Sequence, residues 1–192
     1  MAKKNEFKPD KSGSGLLSKL YITPLQRRAI LKWVLYALVL LVLSVLQDVV
    51  LCNFRLFGAT TELVPCTIIL ICLLEGSQGG CVFTLIAALF YWFSGAAGGP
   101  FAMVIITVLS IFVAMFRQSY LQKGFGAAML CTAFAVVVYE MALFLLGAFT
   151  GLTPWSRFAG FLLTAGMSLL AAPILYPILL SIASIGGETW KE

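Results

Sequence analysis

Histidine is absent from the 192 residues, and charged side chains make up only 11% of them. Without histidine there is no Ser-His triad, no Cys-His pair and no His-Glu-x-x-His metal site. The five cysteines, Cys52, Cys66, Cys72, Cys81 and Cys131, include no Cys-x-x-Cys pair and sit in or beside apolar runs. They read as small hydrophobes, not as a zinc site or a disulfide framework. No Gly-rich loop is followed by Lys and Ser/Thr, so no nucleotide cradle is visible. No pair of carboxylates is evident for acid–base work, and neither an enzyme nor a cofactor site is expected.

What the chain has in excess is apolar surface. Hydrophobic residues reach 61%, against ~45–50% in an ordinary soluble domain. A soluble core of this size cannot hide that much, because small folds leave much of their chain exposed. The natural solvent is lipid, which excludes disorder, a secreted disulfide scaffold and nucleic acid as the main partner.

Charge is uneven along the chain. Lys3, Lys4, Lys8, Lys11, Lys19, Arg27, Arg28 and Lys32 all fall within residues 1–32. That segment reads as a cytoplasmic cationic arm, with residues 1–15 expected to be disordered and Pro24 interrupting an interfacial stretch. It is too long for a cleavable leader. Residues 33–185 read as a transmembrane domain and residues 186–192 as a short cytoplasmic tail.

Six apolar stretches approach the ~20 residues needed to cross a bilayer: Trp33–Leu51, Phe57–Leu74, Gly79–Ala97, Pro100–Phe116, Phe125–Phe149 and Phe158–Ile185. The fold class expected is therefore an all-α membrane protein with six helices and both termini inside. Arg117, Lys123 and Lys191 then join the arm on the inner side, leaving Arg55 and Arg157 outside, in keeping with the positive-inside bias. The second stretch is the short one, since its unbroken apolar part is Leu63–Leu74. It spans or re-enters. Thr61 is placed to cap it, with Glu62 at the positive end of its dipole.

A few polar residues stand out. Glu140 lies near the middle of the fifth span, roughly 14 Å from its end at ~1.5 Å per residue. A charge there is costly, so it is expected to face the bundle interior, either as an interhelical packing contact or as a relay or ligand group. Thr132 and Gly147 share its neighbourhood on that helix. Gly80, Thr84 and Ala88 form a small-residue stripe on the third span, suited to close packing. Phe90, Tyr91, Trp92 and Phe93 read as an interfacial aromatic belt. Glu75, at an unfavourable helix C-terminus, is a solvated loop carboxylate or contacts a cytoplasmic partner, inside or outside this chain. Asp48, near the outer end of the first span, is placed to snorkel outward or to pair with Arg55. Pro173 and Pro177 predict a kink in the last span.

Several motifs together carry a resemblance. They are Leu46-Gln47 in the first span, Phe57-Gly58, Pro65, Leu74-Glu75-Gly76 and Gly79-Gly80. A Gly-rich turn over Gly95–Gly99, then Val138-Tyr139-Glu140 and the Pro173…Pro177 helix, complete the set. Over residues 33–182 the chain resembles the MreD family of bacterial rod shape-determining membrane proteins. It departs where that family places Asp in the third helix, since Trp92 stands there, and after Pro65, which is followed by Cys66.

The resemblance implies a fold similar to the substrate-binding subunits of energy-coupling-factor transporters and a non-enzymatic scaffold in the plasma membrane. It also implies a bitopic MreC-like partner and, through it, MreB and the enzymes of peptidoglycan synthesis. The competing expectation is a substrate-binding subunit for a small solute such as a vitamin, which needs converging polar side chains in a pocket open to the outer face.

Overall fold

Residues 63–74 are the centre of the molecule. In the computed structural model, which describes residues 24–53, 59–95, 99–120 and 124–185, every one of these twelve side chains is buried. They form α2 (Leu63–Glu75), an apolar helix packed against all five other α-helices of the described residues. Those are α1 (Pro24–Val49), α3 (Ser77–Phe93), α4 (Pro100–Tyr120), α5 (Phe125–Phe149) and α6 (Phe158–Ile185). Short 3₁₀ turns occupy Leu51–Asn53 and Trp155–Arg157.

This arrangement explains why α2 is short. A helix enclosed by protein does not have to match the thickness of a bilayer. At ~1.5 Å per residue, α2 is about 20 Å long and α3 about 26 Å, both below the ~30 Å of a hydrocarbon core. Of the six helices, four are long and apolar enough to cross a membrane: α1, α4, α5 and α6. Six full spans were expected; α2 and α3 fall short by length. The second stretch also starts later than Phe57, at Leu63, with residues 57 and 58 outside the described part.

The helical boundaries differ elsewhere too. Pro24 opens α1 instead of breaking the segment before it, since proline's fixed φ suits a first helical turn. Residues 24–32 therefore extend the first helix continuously into Trp33. The rest of the arm, the 186–192 tail, Arg55 and Lys123 lie outside the described residues. α6 runs unbroken through Pro173 and Pro177.

α2 and α3 are joined by a single residue. Gly76 sits at φ 83°, in the left-handed region that favours glycine. Its N–H donates to the Cys72 carbonyl at 3.0 Å, closing α2, while its own carbonyl accepts from Gly80 N–H at 3.1 Å, opening α3. The two helices then run antiparallel in close contact. A Cβ on Gly80 would lie 3.1 Å from both Cα and O of Cys72.

The outer helices turn their apolar faces away from this centre. In the most apolar 18-residue stretch of each, only 17% (α1), 28% (α4), 33% (α5) and 39% (α6) of the residues are buried. Large side chains such as Leu41, Phe112, Leu130 and Phe134 are exposed. An apolar surface this extensive exceeds what a soluble monomer presents to water.

Candidate functional site

Polar side chains inside the bundle gather at two ends of α2, and each end is built by helices remote in sequence.

At the C-terminal end of α2, Glu75 is held by α1. Lys32 Nζ donates to Glu75 Oε2 at 2.5 Å, and Tyr36 OH donates to Oε1 at 2.8 Å. Lys32 and Tyr36 are one turn apart, so both reach the same carboxylate. The Lys32 and Glu75 side chains are 8% and 5% exposed, so this is a largely buried ion pair, not a solvated one. Tyr36 OH also lies 3.4 Å from the Leu179 carbonyl of α6, and Lys32 Nζ sits 5.2 Å from the Trp33 ring centroid. The Arg117 guanidinium lies against Gly76. Of the expectations for Glu75, the solvated carboxylate is corrected and the partner inside this chain is found, because Lys32 and Tyr36 hold and cover it. Opposite charge beside the C-terminal carboxylate answers the unfavourable helix dipole.

At the N-terminal end of α2 a second cluster forms. Glu62 occupies the N-cap position in extended backbone and its side chain makes no capping bond. The helix is capped instead from outside. Glu62 N–H donates to Ser168 Oγ of α6 at 2.9 Å, and Val64 N–H donates to Gln47 Oε1 of α1 at 3.0 Å. These satisfy two of the four amide groups every helix start leaves open. Thr61, expected as the cap, is not the residue that does this. Gln47 Nε2 donates in turn to Tyr91 OH at 3.4 Å, and Tyr91 lies beside the Glu62 carboxyl.

Glu140 and Tyr139 of α5 complete this cluster. Glu140 is 2% exposed and Tyr139 is 1% exposed. Glu140 lies within electrostatic reach of Glu62, and Tyr139 within reach of Glu62, Tyr91 and Glu140. So two carboxyl groups 78 positions apart in the chain come within electrostatic reach of each other, where no pairing was evident from the sequence. Three polar atoms here are buried with no hydrogen-bond partner: Glu62 Oε2, Tyr139 OH and Glu140 Oε1. Each such atom costs about 1–3 kcal/mol, and buried polar groups in folded proteins are otherwise almost always satisfied.

Glu62 is also the floor of a cleft of about 340 Å³. Its other walls are Gln47, Asp48, Thr60, Thr61, Ser94 and Gly95. The cleft opens at the end of the molecule where α1 and α3 finish.

The remaining residues picked out by the sequence are dispersed. Thr132 is buried but donates to its own helix, at the Ala128 carbonyl, 2.8 Å away. Gly147 is packed under Thr153, and its carbonyl accepts from the amides of Leu152 and Thr153. It serves the turn after α5 and not the Glu140 cluster. Gly80, Thr84 and Ala88 are buried on α3, with Gly80 against the Cys72 backbone. Cys66, Cys72, Cys81 and Cys131 are free thiols, and no group of three or more His, Cys, Asp or Glu side chains able to hold a metal ion occurs among the described residues.

Tyr91 corrects the aromatic belt. Phe90, Trp92 and Phe93 are exposed, but Tyr91 is 2% exposed and turned inward. Tyr36, Gln47, Tyr91, Tyr139 and Ser168 were not singled out as site residues. The available signal was a polar atom at helical spacing inside an apolar run, which marks an inward face. Compared with known family models, characterised proteins and solved structures, the chain matches none of them.

Proposed function

We propose that this protein is a membrane scaffold of the bacterial cell-elongation machinery. It sits in the plasma membrane with both termini in the cytoplasm and is partnered by a bitopic MreC-like protein. Through that partner it links MreB to peptidoglycan synthesis, with no chemistry of its own. The observation that carries the reading is the solid centre of the bundle. α2 fills it with buried and almost entirely apolar side chains from Leu63 to Leu74, which leaves its middle to packing and not to a polar pocket between helices. The outward faces of α1, α4, α5 and α6 are apolar and open to lipid and to partner helices alike. The halves of α1 and α6 nearest the chain ends meet at Glu75 through Tyr36 and Leu179. That geometry accords with termini sharing one side, and the resemblance of residues 33–182 to the MreD family supports the reading.

The test is depletion in a rod-shaped host. The cells are expected to round and swell as the protein is lost.

The cleft above Glu62 favours a second reading, a substrate-binding subunit for a small solute. Unchanged cell shape on depletion, with loss of uptake of one solute, is the outcome that selects it.

A further inference from the structure

α1 and α3 run side by side away from the Lys32–Glu75 end of the bundle. Near that end Phe83 of α3 lies against Trp33 and Tyr36 of α1, with ring centroids 5.5 and 6.0 Å apart. Beyond this contact each helix leans on other neighbours, α1 on α2 and α6, α3 on α4 and α2. A groove of about 300 Å³ lies between them. Leu40, Val64 and Ala87 line its buried floor, while Leu41, Val45, Ile86 and Phe90 on its sides are exposed.

The groove has a direction. It closes at the Phe83 ring, and its lining is apolar apart from Ser44, Tyr91 and Ser94. Ser94 also lines the cleft of Gln47, Thr61 and Glu62, so the apolar groove runs out into polar surroundings at that end. From Phe83 to Ser94 is eleven residues, about 16 Å at ~1.5 Å per residue. That is close to half of the ~30 Å hydrocarbon core of a bilayer, the depth of one leaflet. Trp92 and Phe93, exposed beside Ser94, are the side chains that settle at a membrane surface.

In lipid, hydrophobicity does not choose what fills such a groove, because lipid tails are as apolar as leucine. Shape chooses. A helix about 10 Å wide occupies about 1,200 Å³ over the same length, some four times the groove. It would ride on Leu41 and Phe90 and leave the floor without contacts, which forfeits dispersion energy. A single hydrocarbon chain is narrow enough to reach the floor. The change to polar lining at Ser94 falls where such a chain joins its ester and glycerol oxygens.

We propose that the groove between α1 and α3 holds one acyl chain of a phospholipid from the leaflet at the Ser94 end, with the glycerol beside Ser94 and the chain end against Phe83. The inference rests on the membrane setting of the reading above and not on its scaffold role.

The experiment uses the full chain in phosphatidylcholine vesicles doped with phosphatidylcholine that carries a diazirine at mid-chain. After irradiation, the labelled residues are located by peptide mass spectrometry. Labelling of Leu41, Val45, Ile86 and Phe90 is expected to exceed that of Leu170 and Ile174, equally exposed on α6, at least fivefold. Ser44→Phe, which fills the groove, is expected to lower the groove labelling about tenfold, and Val42→Phe, exposed on α1 outside it, to leave it unchanged. Ala37→Phe, at the exposed inner end of the groove, is expected to lower it about threefold and decides the matter where Ser44→Phe does not fold. Even labelling of α1, α3 and α6, or groove labelling unchanged in both filling variants, overturns the proposal. So does crosslinking of these four residues to a protein in native membranes, which gives the groove to a partner helix. Release of the chain from its membranes by alkaline carbonate contradicts the membrane setting as well; a retained chain with even labelling contradicts the groove alone.

Discussion

Lys32 and Glu75, 43 residues apart, meet at 2.5 Å where the first and second helices converge, and both are withdrawn from solvent. The pair fixes the register between α1 and the central helix, because Tyr36, one turn along, reaches the other oxygen of the same carboxylate. Truncating one member of a buried pair leaves an uncompensated charge, which costs about 3 kcal/mol or more. Glu75→Ala and Lys32→Ala are each expected to lower the unfolding midpoint in detergent by that order. The double variant Lys32→Met/Glu75→Leu, which removes both charges and keeps volume, is expected to recover more than half of the loss. A double-mutant cycle with no coupling contradicts the register role.

The start of α2 is secured by two side chains from other helices. Ser168→Ala removes the acceptor of Glu62 N–H, and Gln47→Leu removes that of Val64 N–H. Each leaves an amide unsatisfied, at a cost of about 1–3 kcal/mol. Slower hydrogen exchange at these two amides in the parent than in the variants is the direct check. Equal exchange rates show that the caps carry no weight.

Gly80 is expected to tolerate no side chain. Its Cβ would press on the Cα and O of Cys72, which are backbone atoms and do not swing away. Gly80→Ala must separate α2 from α3, and overpacking of this kind costs about 1–3 kcal/mol. Gly160→Ala serves as the control, since nothing lies within 4 Å of its Cβ position. That change is expected to be neutral or to stabilise by up to ~1 kcal/mol through helix propensity. Equal midpoints for the two variants contradict close packing at Gly80.

Glu140 was expected from its depth to face the interior, and it does. Its buried, unpartnered oxygen makes it costly to the fold and not a source of packing strength. Glu140→Leu is expected to raise the unfolding midpoint, equivalent to about 1–2 kcal/mol, by replacing an unsatisfied group with an apolar one. A lowered midpoint in a variant with parental helix content assigns Glu140 a structural hydrogen bond instead.

The sequence makes the broad architecture readable because long apolar runs have few solutions. The runs at 125–149 and 158–185 match α5 and α6 at both ends. The twelve residues 63–74, apolar but for Thr67 and too few to span, stand out even before their burial is known. The two polar clusters were not readable as clusters. Lys32 looked like part of a charged arm, and only its approach to Glu75 from a helix that starts at Pro24 makes it interior. Tyr91 sat among three exposed aromatics, where local pattern cannot tell which ring turns inward. Glu62 looked like a dipole partner at a helix start. That it comes within electrostatic reach of Glu140 depends on how α2 and α5 pack, a tertiary fact that spacing along one chain does not encode.

The most direct test of the central claim is affinity purification of the full chain from its own membranes in mild detergent, with the bound material identified by mass spectrometry. The scaffold account predicts a stoichiometric complex with a single-span MreC-like protein that survives size-exclusion chromatography. Recovery of the chain without any such protein, but with one small solute bound at unit occupancy, contradicts it.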